Sequence, residues 1–359
     1  MLVTIVPSLQ KLAIVKIAVC VYTNPEVREF ENNSMGHFGF YATHERNWVS
    51  FIRERVSQCE LREDFQKKVI TYMKPLSLEL SSWHRCLRDM FVFLAEDISP
   101  VWSSSGAIDQ LRTAKKLVHC QDLPFLERFS LACLFWMSDD ILKIWEKASS
   151  QEKEKAIRNV IRNEFSIFMN EADRKLRSEF LKKWITWIKK GAVDHEQYYF
   201  YGFALFSMPY IPMQSHLLTK SSPQLVLESL GIRLRSNGRL NNLEYICLVN
   251  LDVKYQNELY KTKPYGLLRA FLHWPLQSHF LEMADRLWSY LTEDDFDQLL
   301  CSILEKLRQG WEDANYGDLL KRFFFRSPKE FRILDKKSAF FRSHAPVLFD
   351  YFDLRQCER

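Results

Sequence analysis

Apolar residues recur at spacings of three and four in segment after segment of this chain, the pattern that lines one side of an α-helix. In residues 85–102 they are Met90, Phe91 and Leu94, and in residues 128–145 Phe129, Ala132, Phe135 and Trp136. These stretches, RCLRDMFVFLAEDISPVW and RFSLACLFWMSDDILKIW, align without a gap 43 residues apart. Arg85 pairs with Arg128, Asp97 with Asp140, Ile98 with Ile141 and Trp102 with Trp145. A period of about 40 to 47 residues is that of HEAT and armadillo helical hairpins. Each copy is predicted to hold a first helix, an acidic turn and a second helix. The acidic turns are Glu96-Asp97 and Asp139-Asp140, and Asp97 and Asp140 are expected to cap the helices that follow. Those helices would present Ile98, Val101 and Trp102, or Ile141, Ile144 and Trp145, with Pro100 tolerated in a first turn. The copies are expected to stack through their terminal indoles.

Further copies are degraded. Residues 200–208 (FYGFALFSM) echo 129–137, and Asp294-Asp295-Phe296 with Leu299-Leu300 echoes the acidic turn. Ser149 and Glu152 read as a capping box, and Ile157, Val160, Ile161, Phe168, Ala172, Leu176, Phe180, Trp184 and Trp187 keep a helical period as far as Gly191. The apolar face thins near Asn170 to Asp173, which predicts two helices in place of one of about 60 Å. Pro209, Pro212, Pro223, Pro264 and Pro275 divide the second half into short helices. The reading is therefore all-α: an irregular helical-hairpin repeat array, or α-α superhelix, HEAT/armadillo-like in spacing. Its N-terminal repeat region is 1–232 and its C-terminal helical region 243–359, with the boundary in the polar connection at 233–242, or one continuous domain.

Composition narrows the class. Ten glycines against 14% aromatic residues suit helices with thick aromatic seams better than sheets, which need glycine at turns and bulges. The eight cysteines are scattered, never Cys-x-x-Cys, and read as packed thiols of a reducing compartment. Residues 1–22 lack a basic leading segment, and Lys11 and Lys16 interrupt the apolar run, so they read as a packed amphipathic helix rather than a leader. A cytoplasmic location is expected, with the nucleus as the alternative.

No phosphate-loop, dinucleotide-binding, zinc-protease or nucleophile-elbow motif occurs, so no catalytic, cofactor or metal residue is assigned and an enzyme is not expected. Two basic aromatic stretches remain. Residues 151–190 hold eleven Lys and Arg against six Asp and Glu, and residues 321–342 eight against two. Their candidate basic-face residues are Lys182, Lys183, Trp184, Trp187, Lys321, Arg322, Arg326 and Arg332. Each reads first as a solvated face over a buried aromatic stripe. Binding of nucleic acid or an anionic membrane is the further alternative, neither being the partner class expected.

The opening PSLQKLAIVKIAVCVYTNPEV (7–27), together with RFSLACLFWMSDDILKIW, resembles a set of uncharacterised arthropod, chiefly spider, proteins that begin with a P-S-L-x-x-[IL]-A-x-x-K-[IV]-A helix and continue as helical repeats. That resemblance implies the architecture and no activity. The same opening is similar to an Elongin BC-box of the SOCS and VHL type: Ser8 is the small residue, Leu9 the leucine, Ala13 stands where Cys is usual, and Ile17 is the later aliphatic. It implies Elongin C as partner and a ubiquitin-ligase substrate adaptor as the role. A core helix explains the same spacing. The expected function is a protein–protein interaction scaffold with one or more protein partners.

Overall fold

A computed structural model describes residues 8–35, 42–90, 99–162, 171–193, 222–235, 240 and 242–332. Among these residues the regular structure is helical, with one isolated antiparallel bridge between Trp102 and Ile108. The chain opens with α1 (Leu9–Tyr22), α2 (Pro25–Met35), α3 (Ala42–Ser57), α4 (Glu63–Thr71) and α5 (Met73–Met90). α1 packs on α2, α4 and α5, and α3 bridges α2 and α4. Next come α6 (Gln110–Val118), α7 (Phe125–Leu134), α8 (Ser138–Lys147), α9 (Ser150–Arg162) and α10 (Glu171–Lys189). α7 is their hub: it contacts α6, α8, α9 and α10 and buries all its residues except Leu126 and Arg128.

The remaining helices are α11 (Pro223–Arg235), α12 (Asn242–Asn250), α13 (Val253–Thr262), α14 (Pro264–Ala270), α15 (Phe280–Leu287), α16 (Glu293–Arg308) and α17 (Tyr316–Arg326). α11 packs on α13 and α14 across the polar connection, and α14 to α17 form a tighter cluster around Phe280, Phe296 and Phe323.

Helix ends follow local chemistry. Ser8 accepts from Lys11 N at 3.2 Å to start α1. Ser149 and Glu152 form the reciprocal box expected before α9, at 2.8 and 3.2 Å. Thr292 and Asp295 form another before α16. Gly191, at φ +90°, closes α10 with Ala192 N donating to Trp187 O at 3.0 Å, the left-handed ending that glycine permits. Pro223 and Pro264 each open a helix, while Phe168, Pro209, Pro212 and residues 200–208 lie outside the described residues.

The 43-residue match does not fold as two equal units. Residues 128–145 form the expected hairpin: the end of α7, a tight turn and α8. Arg85, however, sits within α5, which runs on to Met90; Asp97 and Ile98 lie outside the described residues; and Val101 and Trp102 are extended rather than helical. Asp109 N donates to Val101 O at 2.8 Å, Val101 N to Thr113 Oγ1 at 3.0 Å, and Gly106 turns the chain at φ +83°. The physical reason is the sequence after Trp102: Ser103-Ser104-Ser105-Gly106 competes for backbone bonds and breaks helix propagation, whereas Glu146-Lys147 after Trp145 supports it. The indoles do not stack copy on copy. Trp102 meets Tyr22 edge-on at 6.0 Å, while Trp145 packs on Phe125 and Phe129 at 6.1 and 5.1 Å.

The acidic residues also take a different place. Met137 is the N-cap of α8 and lends no side-chain bond, so Asp139 and Asp140 sit inside the first turn, where they complement the helix dipole. Asp140 faces His119 at 3.4 Å. Before them Trp136 adopts φ +54°, an uncomfortable conformation for a bulky residue, held by its ring against Phe180 and Trp184 at 5.3 and 5.4 Å.

One aromatic side chain joins early and late helices. Trp274 stacks at a tilt on Tyr72 at 4.7 Å, and a methyl group placed on Gly106 would sit 3.1 Å from both its ring and Val15. Close by, Lys74 Nζ donates to Gln309 O at 2.6 Å.

Candidate protein-binding surfaces

α1 carries few polar side chains, Gln10, Lys11 and Lys16, and is covered on one side only. Ile14, Val15, Ala18, Val19 and Tyr22 are buried, whereas Leu9, Gln10, Ala13, Lys16 and Cys20 face solvent. An amphipathic helix would put polar groups on that outer face; here Leu9, Ala13 and Cys20, three of the five, are apolar or weakly polar. Leu9 is 85% exposed. Ser8 is exposed and spends its hydroxyl on the cap, and Ile17 is half-buried against the core, so it is the least available of the four BC-box positions.

Beneath the end of α1 lies a closed polar network. Tyr22 donates to Glu31 Oε2 at 2.9 Å, Ser77 donates to the other carboxylate oxygen, and Arg28 pairs with Glu31 and donates to Tyr22 Oη at 2.6 Å. Burial, then the Glu31 charge, pushes the Tyr22 hydroxyl well above its ordinary pKa. Three helices are thereby fastened by satisfied groups, which makes this a structural lock rather than an open site. Tyr22 and Glu31 are nine residues apart and Ser77 a further 46 along, and they share no motif.

The two basic stretches separate in the fold. In α10, Trp184 and Trp187 are 0% and 1% exposed, with Lys182 in solvent and Lys183 half-buried, so these indoles are core and offer no stacking platform. In α17, Lys321, Arg322 and Arg326 are exposed; Arg332, in the following Lys329–Arg332 turn, is half-buried. Phe323 and Phe324 are buried as the stripe predicts, but Phe325 is left 52% exposed. Ile161, expected on the inner face of α9, is likewise 62% exposed.

A cleft of about 470 Å³ opens where Lys11 and Tyr72 approach α15 and α17, with Trp274, Gln277 and Asp313 among its walls. Its charges are engaged: Arg322 with Asp318 at 3.3 Å, Arg326 with Asp285 at 3.1 Å, and Asp313 with Gln277 and, at 3.1 Å, the Tyr316 hydroxyl. Burial holds the Lys11 amine below the usual lysine range, and its ammonium lies 5.8 Å from the centre of the Trp274 ring. Among the described residues no group of three or more His, Cys, Asp and Glu is placed to hold a metal ion, and no helix is long and apolar enough to cross a membrane. Compared with known proteins, the chain matches no family model, no curated protein and no solved structure.

Proposed function

We propose that this is a non-enzymatic helical scaffold that binds another protein through the outer face of α1. The observation that carries the reading is the exposure of Leu9, in line with exposed Ala13 and Cys20 and with Lys16 between them, on a helix whose opposite face is packed. Such a stripe at helical spacing suits a hydrophobic groove on a partner. In this reading the hairpins α7–α8 and α16–α17 belong to an irregular α-α superhelix, loosely HEAT- or armadillo-like, in an intracellular protein. Support from the 43-residue match is confined to its second copy. The test is affinity capture from cells with the full chain and with the Leu9→Asp, Ala13→Asp double variant. Both positions face solvent, so circular dichroism should be unchanged while captured proteins are lost; an identical set of proteins on both baits overturns the assignment of α1.

A second reading, a ubiquitin-ligase substrate adaptor, is favoured by the exposure of Ser8, Leu9 and Ala13 in BC-box order. Purified Elongin C with Elongin B should co-elute with the chain and not with Leu9→Asp. Absence of co-elution removes the adaptor role and leaves the scaffold reading standing.

A further inference from the structure

We propose that the cleft where α1 approaches α15 and α17 is a covalent site for small uncharged carbonyl compounds, with the Lys11 amine as its nucleophile. Lys11 stands in the first turn of α1 and lines this cleft of about 470 Å³. Its amine makes no hydrogen bond or ion pair among the described residues, and it lies 5.8 Å from the centre of the Trp274 ring. The other charges of the cleft are taken. Asp318 holds Arg322 at 3.3 Å and Asp285 holds Arg326 at 3.1 Å. Glu282 lies 2.8 Å from Arg286 and 3.7 Å from His279 Nδ1, and Asp313 accepts from Gln277 and Tyr316. Lysines are ordinarily solvated or paired. One that is neither, set beside a cavity, is the arrangement that activates an amine toward carbonyl carbon. Burial holds this amine below the usual lysine range, so a larger share of it is neutral and nucleophilic at neutral pH.

The walls select the ligand. Trp274, Tyr72, Leu281 and Leu319 offer aromatic and apolar surface, with Gln277 and Asn315 as hydrogen-bonding groups, in a volume suited to a small molecule. The carboxylates of Glu282, Asp285, Asp313 and Asp318 outnumber the cations Lys11, Arg322 and Arg326, which disfavours an anionic ligand. In the reaction the Lys11 nitrogen lone pair forms a bond to the carbonyl carbon as the C=O π pair moves to oxygen. A proton passes from nitrogen to that oxygen, giving a carbinolamine; a further proton from solvent then carries the hydroxyl away as water and leaves the iminium. The iminium keeps the positive charge where the ammonium had it, so the Trp274 ring and the carboxylates stabilise the adduct as well.

Reductive trapping of the full chain tests this. The protein is treated at neutral pH with benzaldehyde and cyanoborohydride, whose hydride converts the iminium to a stable benzylamine, and labelled lysines are read by peptide mass spectrometry. Lys11 should be labelled several times faster than Lys16, which is exposed on the same helix, and the preference should vanish in urea. Lys11→Arg should fold, as circular dichroism checks, and leave the labelling of Lys16 unchanged. With para-carboxybenzaldehyde the preference for Lys11 over Lys16 should shrink. Labelling of Lys11 no faster than of Lys16, or a preference that persists in urea, overturns the site. A carboxylated aldehyde that favours Lys11 as strongly as benzaldehyde does overturns the assigned class of ligand.

Discussion

Cysteine burial separates thiols that composition treats alike. Among the described residues Cys133 and Cys247 are buried and Cys120 and Cys301 are half-buried against the core, as expected of packed thiols, whereas Cys20 and Cys59 are exposed. Burial, reinforced by the nearby Glu244 carboxylate, pushes the Cys247 thiol up to about 12, and only the thiolate reacts. Iodoacetamide at neutral pH should therefore alkylate Cys20 and Cys59 in the native protein and reach Cys133 and Cys247 only in urea, as read by peptide mass spectrometry. Native labelling of Cys247 as fast as Cys20 would contradict the packing of α12. The side of α1 on which Cys20 falls was beyond sequence reasoning because Leu9 and Ala13 share that side with Lys16, so apolar spacing alone singles out no buried side.

At the scale of elements, propensity and period were enough where one face is plainly polar. The capping box at Ser149, the Gly191 stop and the helices begun by Pro223 and Pro264 are all legible in the sequence. The match between residues 85–102 and 128–145 misled because apolar positions can coincide while the residues next in the chain, Ser103 to Gly106 in one case and Glu146-Lys147 in the other, govern the backbone. Helix-to-helix distance is the other quantity that period leaves open. Gly266 of α14 lies so close to α11 that an added methyl would sit 2.4 Å from Leu234 O. Gly266→Ala should destabilise the protein by about 1–3 kcal/mol in urea unfolding, since a backbone carbonyl cannot rotate away as a side chain would. Gly231, with none of the described residues within 4 Å of an added methyl, supplies the contrast: Ala there should be neutral or stabilising.

For the whole molecule, the contacts of Trp274 with Tyr72 and Lys11, and the neighbouring Lys74 bond to Gln309, tie α1, α4 and α5 to the helices after residue 270. Trp274→Ala should cost about 3 kcal/mol, the lower end for truncating a packed aromatic because this ring is only half-buried. Urea unfolding followed by circular dichroism should then broaden or split; a single transition with an unchanged midpoint would show that Trp274 does not join the early helices to the late ones. What the sequence by itself determined is the helical class, several helix ends and the aromatic seams, because these arise from backbone bonding and side-chain period within one turn or two. Only tertiary structure decided that Trp102 meets Tyr22, that Leu9 and Phe325 face solvent while Trp184 and Trp187 do not, and that Lys11 and Tyr72 meet Trp274. Such choices depend on which apolar face finds a neighbour, and neighbours distant in the chain leave no mark on local spacing.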